Sequence, residues 1–300
     1  MNIKNTKHVV CPHTLSPLSL TVDKQEGDEI IKGVFKSSDG KTSYKITDGI
    51  ADFTYPKELQ GSDKDFNEKY ELNAKLYEEG MEWLFASFYE TEDDVRNKLV
   101  GLLELKPGSF VLNMGCGAGG DSKYIISHLG KKGKLFHLDL TAGLLKIARK
   151  NLKGTAISTE FFVGNGSHLP FPAQTFDAVF HFGGINMFSE KKRAIDEMVR
   201  VAKPDGRIVF GDESAAPWLS NKLFGKIIKN ANPLYKHTPP MDLLPANARN
   251  VSLNYVLGNS FYAIAFNAGE DVRLNLDLPI PGERGGTLRT RYEQTGKKIK

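Results

Sequence analysis

Cysteine is scarce. The chain of 300 residues has two, Cys11 and Cys116, too few for a disulfide framework or a four-cysteine zinc site. We therefore expect reduced thiols and no metal. No apolar run approaches the ~18 residues that a membrane-spanning helix needs. The opening stretch MNIKNTKHVVCPHTLSPLSL lacks the apolar core of a secretion signal. A cytoplasmic protein without stable membrane insertion is the expectation. Charge of one sign is also missing. The formal net charge is +4, and residues 282–300, with six Lys or Arg and two Glu, account for all of it. The preceding residues are neutral, so a broad basic face for nucleic acid is not expected.

What is present is a change of rhythm along the chain. Residues 1–60 read as a small β-rich unit, with a strand at 29–37, a turn at Asp39-Gly40 and a strand at 43–46. Residues 64–80 and 92–105 carry apolar residues at helical spacing. From residue 109 strands and helices alternate. Strands are predicted at 110–114, 134–140, 160–163, 176–182 and 207–211, and helices at 121–129, 141–151 and 190–202, with Thr141 as a cap. Such alternation builds a parallel sheet covered by helices on both faces. A hairpin follows, 251–257 and 261–266 around Gly258-Asn259. The domains expected are 1–60, 61–275 and a tail, 276–300.

The segment VLNMGCGAGG, residues 111–120, runs from a buried strand through a glycine-rich turn into a helix. Gly115, Gly117 and Gly119 remove side chains where a ligand approaches the backbone, and the helix start offers free N–H groups. Gly115, Gly117 and Gly120 also satisfy G-x-G-x-x-G, so the turn alone suits a nucleotide or cofactor of unspecified kind. Asp139 ends the next strand, 24 residues after Gly115. An acid at about that distance binds ribose hydroxyls; the plainer role is to help cap the helix at Thr141.

The order VLNMGCGAGG, LFHLDLT, GNGSHLPFPAQTFDAVF, RVAKPDGRIVFGDE resembles the class I S-adenosylmethionine-dependent methyltransferases, most of all the branch that includes ubiquinone and menaquinone biosynthesis methyltransferases. The likeness covers about residues 70–215. It implies an α/β fold with a Rossmann-like, seven-stranded, mostly parallel sheet ending in an antiparallel hairpin, and S-adenosylmethionine as cofactor. By that resemblance Gly115, Cys116, Gly117 and Gly119 line the methionine portion. Asp139 takes the ribose hydroxyls and Leu140 lies on the adenine. Asn165, Gly166 and Ser167 meet the adenine edge. His181, Phe182 and Gly183 sit beside the sulfonium. Tyr70 and Tyr77 lie on a preceding helix that covers such sites, where ordinary packing is the competing role. His181 is the first candidate general base and His168 the second; the competing roles are a strand histidine satisfied by backbone and a loop histidine.

Two departures stand out. Members of this family usually carry acids where Asn113 and Asn165 stand, the first helping to hold the cofactor's ammonium and the second accepting from the adenine amino group. Amides still accept hydrogen bonds, but without charge assistance. Weaker cofactor binding is the expectation, with Asn113→Asp expected to tighten it.

Other features are weaker. CPHTLSPL and YKITDGIADF resemble the zinc-ribbon-like segment before some ribosomal-RNA guanine methyltransferases, but Thr14 stands where the second cysteine of the first pair would fall, no later pair exists, and His8, Cys11 and His13 cluster too closely for a tetrahedral site. Arsenite methyltransferases share the fold but need several thiolates. Residues 218–229 form an amphipathic pattern, expected to pack on the sheet, with a lid or membrane-surface helix as the alternative. Arg284, Arg289 and Arg291 in the tail suit a substrate carboxylate or phosphate. The function expected is methyl transfer to a small organic molecule, a specialised metabolite in view of the accessory unit. The alternatives are an RNA base methyltransferase, an NAD-dependent oxidoreductase and a non-catalytic cofactor-binding module.

Overall fold

The computed structural model describes residues 1–155, 157–269, 274–283 and 285–297. Residues 1–269 form one compact unit, and the described residues from 274 onward belong to a second. In chain order the first unit contains β1 (Leu18–Glu26), β2 (Glu29–Ser37), β3 (Ser43–Thr47) and β4 (Ile50–Asp52). Three helices follow, α1 (Gly61–Asn73), α2 (Tyr77–Ser87) and α3 (Glu92–Gly101). The alternating part is β5 (Phe110–Met114), α4 (Gly120–Leu129), β6 (Lys134–Asp139), α5 (Ala142–Asn151), β7 (Ser158–Val163), β8 (Phe176–Phe182), α6 (Lys191–Val201) and β9 (Ala202–Glu213). It ends with α7 (Leu223–Ala231), β10 (Ala248–Val256) and β11 (Phe261–Ala268).

The strands form one sheet in the order β1-β2-β3-β4-β7-β6-β5-β8-β9-β11-β10. The seven strands from β7 to β10 are the expected array: five parallel strands, with β11 antiparallel to β9 and β10 antiparallel to β11. The sheet does not stop there. β4 pairs in parallel with β7, Ala51 opposite Phe162, so the N-terminal strands extend the sheet beyond its expected seven. β1 is absent from the sequence reading. Its outer residues are mostly exposed and charged, as suits an edge strand, although Leu18, Leu20 and Val22 do alternate.

β5 is buried along its whole length, because helices cover both faces. Its side chains alternate. Phe110, Leu112 and Met114 join Phe136, Phe162, Ile195 and Met198 on one face. Val111 joins Leu99, Ile125, Leu129 and Leu135 on the other. By the two-residue period Asn113 shares the second face, toward α4. Arg96 of α3 ties that layer together. It contacts Asp121 at 2.6 Å and Glu92 at 2.6 Å, and these carboxylates hold its guanidinium charged above the usual arginine range despite burial.

Three local expectations change. Residues 217–219 form a separate 3₁₀ turn before α7. α7 turns Gly225 and Ile228 inward, while Leu223 (75%) and Ile227 (56%) are exposed. The apolar stripe is therefore divided, with Ile228 in the core and Phe224 against Phe88, while Leu223 and Ile227 face outward. His8, Cys11 and His13 also part company: His8 packs on Phe110, His13 stacks on Tyr55, and Cys11 is buried against Tyr44.

In the second unit α8 (Leu288–Glu293) starts at a Thr287–Thr290 capping box. Arg289 makes a two-pronged ion pair with Asp277 (2.7 and 3.0 Å), and Arg291 donates to the Gly285 carbonyl. Both arginines are thus engaged within their own unit. Arg284 lies outside the described residues.

Candidate functional site

The glycine turn after β5 is folded back over the end of β6. Gly115 N–H donates to the Leu138 carbonyl at 2.6 Å. Gly115 and Gly117 both have positive φ, +63° and +54°. A Cβ at Gly115 would lie 2.9 Å from the His181 ring, and one at Gly117 would lie 2.8 Å from the Tyr77 hydroxyl. Side chains are thus excluded on two counts, backbone conformation and space. Gly119 differs: a Cβ there would press on Ala148 and Leu152, so this glycine serves the packing of α5.

Asp139, at the carboxyl end of β6, closes the turn. Its Oδ2 accepts from Gly117 N–H at 2.8 Å and its Oδ1 from Thr141 N–H at 2.9 Å. Burial raises its pKa, and those two donors oppose the rise. Each carboxylate oxygen keeps a further lone pair. Thr141 does not cap α5 with its side chain, contrary to expectation. Its hydroxyl reaches Asn67 Oδ1 at 3.2 Å instead, and Glu71 takes the Gly143 N–H at 3.0 Å.

Asn67 and Glu71 belong to α1, which lies across the carboxyl ends of the strands. Asp63, Asn67 and Glu71 are spaced four apart, so they share one face of the helix. Asn67 and Glu71 meet the start of α5, and Asp63 meets two other loops. Asp63 Oδ2 accepts from Asn165 Nδ2 at 3.1 Å, and its Oδ1 accepts from Ser189 N–H at 2.9 Å. The same helix turns Phe66 and Tyr70 into the cleft, where Tyr70 meets Tyr77 edge to face at 6.2 Å. Burial, with Glu213 nearby, pushes the Tyr70 hydroxyl up to about 12.

His181, near the end of β8, is 1% exposed. Its Nδ1 lies 2.8 Å from the Met114 carbonyl. A carbonyl only accepts, so Nδ1 carries the proton and Nε2 presents a lone pair, which has no partner. Burial lowers its pKa and keeps the ring neutral.

Together these groups line one cleft with about 740 Å³ of space, including its open mouth. Gly115, Gly117, Asp139, Leu140, Asn165, Gly166, His181, Gly183, Tyr70 and Tyr77 all border it. Six other candidates do not. Asn113 donates to Ser122 Oγ at 3.1 Å behind the turn. Cys116 and Phe182 border a separate polar pocket beside Arg96 and Asp121, which meets the main cleft at Tyr77 and Gly115. Gly119 packs on α5, and Ser167 is buried, bonded to Asn165 and to the Glu190 carbonyl. His168 is held by Glu190 at 2.9 Å and lies edge-on to Tyr55, away from the cleft. Sequence reasoning missed Asp63, Phe66, Asn67, Leu144, Met187 and Phe188, which supply much of the wall. For the polar side chains of α1 the available signal was their four-residue spacing.

Residues 111–206 match the family described as Methyltransferase domain. The chain is 29% identical over 140 residues to the ubiquinone/menaquinone biosynthesis C-methyltransferase UbiE of Burkholderia mallei, a stretch covering 47% of this chain and 54% of that protein. The match therefore spans about half the length of such curated relatives. Among solved structures, a chain of the complex between the Haloferax volcanii Trm112 methyltransferase activator and its methyltransferase superposes with a TM-score of 0.50. It is 13% identical and covers 69% of this chain and 99% of that one, a likeness of fold. Among the described residues no helix is long and apolar enough to cross a membrane.

Proposed function

We propose that this chain, whose residues 111–206 match the Methyltransferase domain family, works as a class I methyltransferase and moves a methyl group from S-adenosylmethionine to a small organic acceptor. The observation that carries this reading is the turn itself. Gly115 and Gly117 bring bare backbone to the wall of the cleft, where a Cβ would run into the His181 ring and the Tyr77 hydroxyl, and Asp139 fixes the turn through the Gly117 N–H. The residues present fit the donor. Asp139 retains lone pairs for ribose hydroxyls, Leu140 and Phe188 offer apolar faces for a purine, and Gly115 and Gly117 admit a chain along the backbone.

The bound donor supplies an activated methyl on its sulfonium. The protein's part is alignment and exclusion of water. Phe66, Met187 and Phe188 provide an apolar wall. His181, whose ring borders the cleft and whose Nε2 has no partner, is our choice for the group that takes a proton from an acceptor that must lose one. His168 is not part of this proposal, because Glu190 holds it outside the cleft. The curated relatives methylate carbon in ubiquinone and menaquinone biosynthesis, so quinol-like acceptors come first in a screen and amines second.

Calorimetric titration with S-adenosylhomocysteine, with NAD in parallel, tests the reading. Micromolar binding of the first and none of the second supports it. Binding of NAD alone overturns it in favour of an oxidoreductase. Transfer of a radiolabelled methyl to an acceptor from the screen separates an enzyme from a cofactor-binding module.

A further inference from the structure

The amide of Asn165 is fully directed. Its Oδ1 accepts from Ser167 N–H at 2.9 Å, and its Nδ2 donates to Asp63 Oδ2 at 3.1 Å. A backbone N–H only donates and a carboxylate only accepts, so the amide cannot be flipped without breaking both bonds. Asn165 thus turns a donor, not an acceptor, toward the far side of the cleft. The negative charge there sits on Asp63.

Asp63 is half-buried and borders the same cleft. Its two oxygens hold Asn165 and the Ser189 N–H, which leaves about two of its four lone-pair sites. Among the described residues no cation pairs with it. It thus offers a charged acceptor to a ligand donor that comes to rest beside Asn165 and Gly166.

We propose that Asp63 of α1 accepts from the exocyclic amino group of the donor's adenine, from across the cleft. This rests on the methyltransferase reading above and deepens it. The acid stands on the covering helix and the amide on the core loop, joined by the Asn165–Asp63 hydrogen bond, so purine recognition is shared by the two elements. A 6-oxo purine would present an oxygen to the carboxylate and be rejected.

The test uses the full chain and titrates S-adenosylhomocysteine and its deaminated analogue, S-inosylhomocysteine. The variants are Asp63→Asn, Asn165→Asp and the double exchange. Wild type is expected to prefer the amino form by about tenfold or more, as a charged hydrogen bond implies. Asp63→Asn loses about tenfold in affinity for the amino form and most of the preference. Asn165→Asp sets two carboxylates face to face and weakens binding; adding Asp63→Asn restores it. Asp63→Asn with unchanged affinity and preference overturns the proposal while leaving the methyltransferase reading intact. Failure of wild type to bind S-adenosylhomocysteine overturns both. Melting curves of all four proteins show whether a lost affinity is a lost fold.

Discussion

A Cβ on Gly115 would stand 2.9 Å from the His181 ring, and that ring cannot retreat. Its Nδ1 is bonded to the Met114 carbonyl, and its face meets Phe188 edge-on at 5.3 Å. Gly115→Ala therefore combines strain at positive φ with a clash, a loss of roughly 2–4 kcal/mol in stability. Gly154→Ala is the control: φ is +86° there, but a Cβ meets nothing within 4 Å. It should cost about 1 kcal/mol, from backbone strain alone. Urea unfolding and calorimetry of both variants check this. S-adenosylhomocysteine binding should vanish in the first and persist in the second. Equal behaviour of the two would refute a crowded turn.

Asn113 looks away from the cleft, and a directed chain explains why. His137 Nδ1 lies 3.0 Å from the Glu160 carbonyl, so it carries the proton, and Nε2 accepts from the Ser122 hydroxyl at 3.0 Å. Ser122 Oγ is then free to accept from Asn113 Nδ2. An aspartate at 113 would face an oxygen whose proton is already given away. Asn113→Asp is thus expected to cost about 1–3 kcal/mol at pH 7, rather than to tighten cofactor binding. The penalty should shrink at about pH 4, where His137 takes up a proton and becomes a donor. Unfolding at the two pH values, with calorimetry at pH 7, decides between the two expectations.

The same histidine predicts an acid limit. Burial lowers the His137 pKa from 6.5 to about 4. Above pH 6.5 the ring is neutral in both folded and unfolded chains. Below it the unfolded chain takes up a proton that the folded one refuses until about pH 4. Stability should therefore fall across that window, by about 3 kcal/mol from this group. Burial lowers the pKa of His181 in the same direction. His137→Gln should be less stable at pH 7 but show a shallower decline of urea midpoint with acid. An unchanged slope would assign the acid limit to other groups.

The alternating half was legible because its elements are local. β5 and β8 begin and end where their apolar runs do, and Gly115, Asp139 and His181 follow from their places at strand ends. Contacts between distant segments were not legible. Nothing in IAD at 50–52 announces a parallel partner in β7. The polar side chains of α1 look like a solvated face until the loops they meet are in place. Asn113 is intermediate: strand alternation puts it with Val111, opposite Met114, and the pairing of Asn113 with His137 then directs it to Ser122.

No residue of α1 is fully buried, and of its apolar side chains only Phe66 and Tyr70 are half-buried in the cleft, so little apolar area holds this helix in place. What fastens it is the row Asp63, Asn67, Glu71. Exposed hydrogen bonds of this kind contribute about 0.5–1.5 kcal/mol each. In Asn67→Ala/Glu71→Ala, which spares Asp63, amide exchange over residues 61–73 should speed by about tenfold or more while the melting temperature barely moves. The double variant should also bind S-adenosylhomocysteine more weakly, because the ligand must then order the helix itself. Saturating ligand should bring the exchange back toward the wild-type rate. If exchange rises but affinity stays the same, α1 is a cover and takes no part in holding the donor. If both change together, the helix that closes the cleft is also part of what recognises its occupant.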